Sequence, residues 1–204
     1  ENVSKCLIMC KEQDISDEFI SNYIDAGEEE DHHSGSTCSS RDPWYGLGER
    51  EPADFLWMEF INDINRVYVN EAGCLESDKF YGITTEKDLP LNSTIISMFR
   101  ELSGFTSLGQ GALKLAVYEV ESLLVPDIEV EKTLDDREMN SIFEEVGLER
   151  NKPIREQEPS PLPDRKELDD IVFDALGLSE DERKEVYWSV AELVKARLDK
   201  AESA

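Results

Sequence analysis

Short apolar runs alternate with longer polar stretches along the chain, and the spacing within each run predicts its element. Cys6-Leu7-Ile8-Met9-Cys10, ended by Lys11-Glu12-Gln13-Asp14, is so brief that it predicts a buried strand rather than a helix. Ser16 is placed to cap a helix over Asp17 to Ala26, with acids in the first turn, Phe19, Ile20 and Tyr23 at helical spacing, and Gly27 as its stop. Glu28 to Ser40 then reads as a polar loop. Phe55-Leu56-Trp57-Met58-Glu59-Phe60 and Arg66-Val67-Tyr68-Val69-Asn70 are rich in aromatic and β-branched residues and predict two adjacent strands, with Phe80-Tyr81-Gly82-Ile83-Thr84 as a third. Leu91-Asn92-Ser93 opens a helix whose Ile95, Met98, Phe99 and Leu102 form an apolar stripe meant for the sheet, closed by Gly104. Gly109-Gln110-Gly111 predicts a flexible turn into Ala112 to Ala116, and Leu123-Leu124-Val125-Pro126 a short extended piece.

Pro153, Pro159, Pro161 and Pro163 fall among charged residues between Asn151 and Asp164, a composition that predicts an extended linker. Beyond it, Leu168, Ile171, Val172, Ala175 and Leu176 make one helical stripe stopped by Gly177. Ser179 and Glu182 form the capping-box pattern of a second helix bearing Val186, Val190, Leu193, Val194 and Leu198. Such an αα-hairpin cannot bury both stripes by itself and must pack on the rest of the chain or on a partner. The expected organisation is an α+β domain over 1–126, an acidic, Pro-rich connector over 127–165, and a helical hairpin over 166–204.

At 204 residues, with 39% apolar residues, the chain is long enough for one core and too apolar for wholesale disorder. No apolar run approaches the ~18 residues that span a bilayer, and the residues from Glu1 lack the basic-then-apolar build of a signal peptide, so a cytoplasmic protein with no membrane partner is expected. Four cysteines are too sparse for a disulfide scaffold of this length. The formal charge of −26 argues against a free-standing nucleic-acid binder, because phosphate contact depends on local Lys and Arg. That charge is concentrated in the two ends of the chain, so it is a poor guide to one face of the middle.

Several constellations invite chemistry and are better explained by structure. Asp42-Pro43-Trp44-Tyr45 is one proline short of the Asp/Asn/Ser-Pro-Pro-aromatic signature of amino-methylating DNA enzymes. No G-x-G turn for a methyl donor precedes it, so it reads as an aromatic turn. His32-His33 with Cys38, Cys6 and Cys10 raises zinc, yet Cys6 and Cys10 on one strand would lie about 13 Å apart, too far for two thiolates on one ion. No metal site and no catalytic residue is therefore nominated. Glu28-Glu29-Glu30-Asp31 reads as a solvated acidic run, and Gly109-Gln110-Gly111 as a turn whose amides, with Lys114, can also approach a phosphate.

Taken in order, Ser40-Arg41-Asp42-Pro43-Trp44-Tyr45-Gly46-Leu47, Arg66 to Gly73, Asp78-Lys79-Phe80-Tyr81-Gly82-Ile83, Leu91-Asn92-Ser93-Thr94, and Gly109-Gln110-Gly111-Ala112-Leu113-Lys114-Leu115 with Leu124-Val125-Pro126 carry a resemblance. They match an R-x-P-W-aromatic-x-L turn, a d-x-F-Y-x-I strand, an L-N-S helix start and a G-x-G-A-L-x-L turn leading to V-P. In this order they resemble the C-terminal target-recognition region of N6-adenine DNA methyltransferases of restriction–modification systems. The helices around Ile171 to Asp174 and from Glu185 to Tyr187 resemble the tail of such proteins.

The resemblance implies an α+β fold, a curled mixed or antiparallel sheet with packed helices, similar to DNA methylase specificity domains, plus the C-terminal αα-hairpin. It implies that the F-x-G-x-G and N-P-P-Y elements of the parent enzyme lie N-terminal to this region. S-adenosylmethionine then belongs to that missing domain, no cofactor is expected here, and this portion should read DNA without methylating it. The expected partners are double-stranded DNA, in the context of the full protein, and the missing catalytic domain. Motif match nominates Arg41 and Trp44 in a first loop and Gly109, Gln110, Gly111 and Lys114 in a second as DNA-binding residues, Gln being suited to adenine and Arg or Lys to guanine or phosphate. Each has a structural alternative: Trp44 as a core anchor, Arg41 in an ion pair, Lys114 as a strand-face solubility residue. A competing expectation is an acidic protein–protein interaction module that docks through its C-terminal helices.

Overall fold

The computed structural model describes residues 17–46, 50–106, 111–130, 134–135 and 137–203. The expected strand at Cys6 to Cys10 and the Gly109-Gln110 part of the second loop lie outside them. Two compact bodies divide the chain, Glu1–Glu51 and Pro52–Ala204.

In the first body, α1 spans Glu18–Glu29. Asp17 caps it, its carboxylate accepting from the amides of Phe19 (2.8 Å) and Ile20 (3.3 Å). The expected stop at Gly27 is wrong by a turn. Gly27 is a buried helical residue, because the indole of Trp44 occupies the space where a side chain would stand, and the helix continues to Glu29. A single 3-10 turn, His32–Ser34, follows.

The second body is α+β, with two small antiparallel sheets. Strand β1 (Phe55–Met58) is central in the first, flanked by β3 (Val67–Val69) and β4 (Phe80–Ile83) in the order β3-β1-β4. Phe55 faces Val69 and Ile83, and Trp57 faces Val67 and Tyr81. Beyond Glu59 the same chain segment continues as β2 (Phe60–Ile61) into a second sheet of order β2-β6-β5, with β5 at Phe105–Thr106 and β6 at Leu113–Lys114. The three aromatic segments therefore form strands as their composition predicts, but Phe60 belongs to the neighbouring sheet.

Helix α2 (Thr94–Ser103) starts at Ser93 and ends at Gly104, as its sequence predicts. Its buried face is rotated from the expected stripe: Ile95 and Ile96 are buried with Arg100, whereas Leu102 is exposed. The reason is that α2 is covered by helices as well as by the sheet. Helix α5 (Pro163–Leu176) and helix α6 (Glu180–Glu202) both pack on it. Phe55, Trp57, Ile95, Ile96, Val172, Phe173, Val186, Val190 and Val194 share one hydrophobic core. Of the stripes read from the sequence, Leu168, Val172, Val186, Val190 and Val194 are buried within the chain, whereas Ala175 and Leu176 at the end of α5, and Phe19 and Tyr23 on α1, are exposed.

The segment expected as a connector behaves differently from a solvated linker. After helix α3 (Val117–Glu121), it supplies Val130, Met139, Ile142, Phe143, Val146, Leu148 and Ile154 as buried residues and forms helix α4 (Ile142–Glu145). Gly147, at a positive φ of 68°, turns the chain so that the Ser160 and Leu162 amides reach the carbonyls of Val146 (3.1 Å) and Glu145 (3.0 Å). Pro163 then opens α5, where its missing N–H costs nothing. Composition alone conceals the apolar residues spaced through this acidic stretch.

Candidate nucleic-acid interface

Trp44 follows the Asp42–Pro43 peptide in a loop that folds back on α1. Its ring sits over Gly27, its Nε1 donates to Glu28 Oε1 (3.2 Å), and Tyr45 packs edge-to-face on it at 5.6 Å. Trp44 therefore anchors the loop, the alternative role its residue type allowed. Arg41 is exposed on that loop and makes no ion pair among the described residues, its amide held by the Cys38 carbonyl at 3.0 Å. Nearby, His32 pairs with Glu30 (3.0 Å) and His33 with Asp31 (3.6 Å). No group of three or more His, Cys, Asp or Glu converges as a metal site among the described residues.

In the second body, Gly111 has a positive φ of 74°, and a Cβ there would lie 3.0 Å from that of Ala201 on α6. A glycine is required on both counts. Its carbonyl accepts from Arg197 Nη1, while Arg197 Nη2 also donates to the Asn62 carbonyl at 2.7 Å. Arg197 meets Glu101 in a bidentate pair, Nε to Oε2 at 2.9 Å and Nη2 to Oε1 at 2.7 Å, with both side chains only 5% exposed. One guanidinium from α6 thus fixes the carboxylate of α2, the turn before β2's partner strand, and the segment that follows β2. Three residues on, Lys114 pairs with Glu59 (2.9 Å) and lies over the Phe60 ring at 5.0 Å. Tyr81 donates to the Leu115 carbonyl at 2.6 Å, and burial, assisted by the Glu59 charge, holds its phenol above the ordinary range. Of the nominated residues, the structure groups Gly111 with Lys114 in one body and Arg41 with Trp44 in the other.

Sequence reasoning passed over the buried charges that hold this body together. Arg100, 1% exposed, stacks on Trp57 at 4.8 Å and donates to Asn65 Oδ1 (2.8 Å) and to the Met58 carbonyl; burial pulls its guanidinium down to about 9, so it stays charged at neutral pH. Arg137 clamps Glu145 (2.7 and 2.9 Å) and Asp164 (2.8 and 3.0 Å), and Arg165 reaches Glu145 at 3.2 Å. Burial works to raise the Glu145 and Asp164 carboxyls, but the Arg137 hydrogen bonds and nearby amides outweigh it and hold both below the ordinary carboxylate range. Asp169, fully buried, accepts from the Thr94 amide (2.7 Å) and hydroxyl (2.6 Å), and there desolvation wins and its carboxyl is raised. A signal existed for these residues: Arg100 lies four residues after Ile96, and Arg197 three after Val194, both in register with buried apolar positions.

Residues 1–156 match the family model of the Type II methyltransferase M.Eco57I, C-terminal domain. Among curated proteins, the Type II methyltransferase M.AccI of Acinetobacter calcoaceticus is 29% identical over 99 residues, 48% of this chain. The aligned part is 18% of that relative's length. No solved structure matches. No helix of the described structure is long and apolar enough to cross a membrane. The ordered motifs from Arg41 to Pro126 and the match across residues 1–156 agree: this chain belongs to the family of the C-terminal domain of the Type II methyltransferase M.Eco57I.

Proposed function

We propose that the chain is the target-recognition part of a longer, S-adenosylmethionine-dependent adenine-N6 DNA methyltransferase and does no chemistry itself. The observation that carries this reading is the match of residues 1–156 to a methyltransferase's C-terminal domain, made by a chain aligned with under a fifth of its curated relative. A methyltransferase acting on a duplex must extrude its target base, and a second body must hold the remaining site while reading base edges. Methyl donor and catalytic motif then reside in the other part of the protein. Arg41, exposed beside the anchored Trp44, and the Gly109 to Lys114 segment, whose Gly111 carbonyl accepts from Arg197, are the reading elements in this proposal.

Two observations support a division of labour in which the other part supplies much of the phosphate grip. The chain carries −26, and Lys79, Lys87, Lys114, Lys152, Lys166 and Lys184 all face carboxylates within the chain. The competing idea, docking of a protein through the C-terminal helices, loses its main support because Leu168, Val172, Phe173, Val190 and Val194 are already buried. The test is exchange of residues 41–45 and 109–114 for those of a relative with a different site, in the full-length methyltransferase, followed by sequencing of the methylated positions. A changed methylated sequence supports the proposal. An unchanged sequence with intact activity refutes it.

A further inference from the structure

The face of the first sheet turned away from the main core carries side chains that the fold leaves half-buried. Leu56 stands opposite Tyr68 and Gly82, and Met58 opposite Phe80. Strand alternation places Arg66 on the same face as Tyr68. The Tyr68 and Phe80 rings meet edge-to-face at 6.1 Å, and the Tyr68 hydroxyl reaches Met58 Sδ at 3.9 Å. Arg66 lies with its guanidinium 5.2 Å from the Tyr68 ring centre, its Nη1 donating to the Tyr68 hydroxyl at 3.3 Å. That contact orients the guanidinium and engages one of its five N–H donors.

Arg66 is distinguished by what it lacks. In the same body, Arg137, Arg150, Arg155, Arg165, Arg183 and Arg197 all meet carboxylates, and Arg100 is sealed in the core. Among the described residues Arg66 has no carboxylate partner, and its Nε, itself buried, has no hydrogen-bond partner there either. Next to Phe80, Lys79 has only an exposed pair with Asp78 (2.9 Å), a kind of contact worth little in water. The carboxylate of Glu76 lies over Gly82 on this same face, one side-chain position along β4 from Phe80 and with its Oε2 buried and without a partner among the described residues; it stands two strand spacings, or roughly 10 Å, from β3. In a chain this acidic, an aromatic sheet face with an unpaired, pre-oriented arginine at one edge is complementary to a polyanion with planar groups.

We propose that this face is a DNA contact surface, with Arg66 taking a backbone phosphate, Lys79 a second, and Tyr68 and Phe80 packing on the sugars and bases of that strand. The inference rests on the reading above that the chain handles DNA, and adds a surface that the loop motifs do not include. In the full-length methyltransferase, Arg66→Met should weaken duplex binding roughly tenfold and lower the slope of log affinity against log salt by about one, while Arg66→Lys keeps the slope. Lys79→Gln, at a side chain exposed enough to leave folding untouched, should also lower the slope by about one. Independently of any substitution, 5-iododeoxyuridine duplexes should photo-crosslink to the peptide containing Tyr68 or Phe80. Unchanged affinity and slope in a folded Arg66→Met and in Lys79→Gln, with crosslinks confined to other segments, would overturn the surface. If exchange of the two loops still retargets methylation in that case, the proposed function stands and this inference alone fails. If instead the protein binds all duplexes alike but Arg66→Met lowers the slope, the surface stands and site reading fails.

Discussion

Arg197→Met tests whether the buried pair between α6 and α2 organises the second body. The substitution deprives the Glu101 carboxylate and the Gly111 and Asn62 carbonyls of donors, at a site where both charged side chains are 5% exposed. Removing one partner of a buried pair leaves an uncompensated charge and costs about 3–5 kcal/mol, a large share of the roughly 5–15 kcal/mol that stabilises a typical domain. At a urea m-value of about 2 kcal/mol/M, the unfolding midpoint should fall by roughly 2 M. The double variant Arg197→Met with Glu101→Met removes both charges and leaves only the two carbonyls unpaired, at about 1–3 kcal/mol. It should therefore be more stable than Arg197→Met alone. Urea titrations followed by circular dichroism measure both. A shift below about 0.3 M for Arg197→Met, or a double variant less stable than the single, would refute the reasoning.

Three further outcomes follow from the geometry. Gly147→Ala places a Cβ 2.0 Å from the Ser160 carbonyl oxygen at a φ of 68°, so it should cost roughly 3 kcal/mol or more in the same titration, far above Gly177→Ala, where nothing lies within 4 Å. Gly27→Ala adds about 1 kcal/mol of helix propensity but collides with Trp44 Cη2 at 2.6 Å, so quencher access to a fluorotryptophan at position 44 should rise while helix content is kept; unchanged access would contradict the anchoring of the loop. The Glu145 and Asp164 carboxyls are held below their unfolded values near 4.5 and 3.8. Their contribution is therefore fully present above those values and is lost as pH falls through the lowered ones. The share of stability owed to these two carboxyls should be lost below about pH 4.5, opposed by Asp169, whose raised carboxyl takes up its proton more readily folded than unfolded, and Glu145→Gln should flatten the acid limb in pH-dependent melts.

The aromatic strands, the Ser93 start and Gly104 stop of α2, the Gly177 stop of α5 and the Ser179–Glu182 cap of α6 were legible because each depends on local spacing and local capping, whereas the start of α5 at Pro163 falls in the expected linker. Gly27 was misread because a glycine inside a helix and one ending it look alike until Trp44, 17 residues on, is known to pack there. The acidic 127–165 segment was misread because its buried residues are spread among charges with no single period, and their burial depends on Arg137, Glu145 and Asp164 meeting in space. At the candidate interface, motif order nominates Trp44 and Gly111 as DNA-binding residues, and the structure shows what holds each in place. Their contacts with Gly27 and with α6 are long-range, so no motif could show that both are held by the fold itself. Arg66 opens one of the segments that carry the resemblance, but that it lacks a carboxylate stands out only once the partners of the other arginines are known.

The most direct test of the account replaces this whole region in a related methyltransferase of different specificity and reads the methylated sequence by single-molecule sequencing. The methylated motif should follow the transplanted region while the methyl donor and the modified atom stay those of the recipient. An active hybrid that still methylates the recipient's own motif would contradict it.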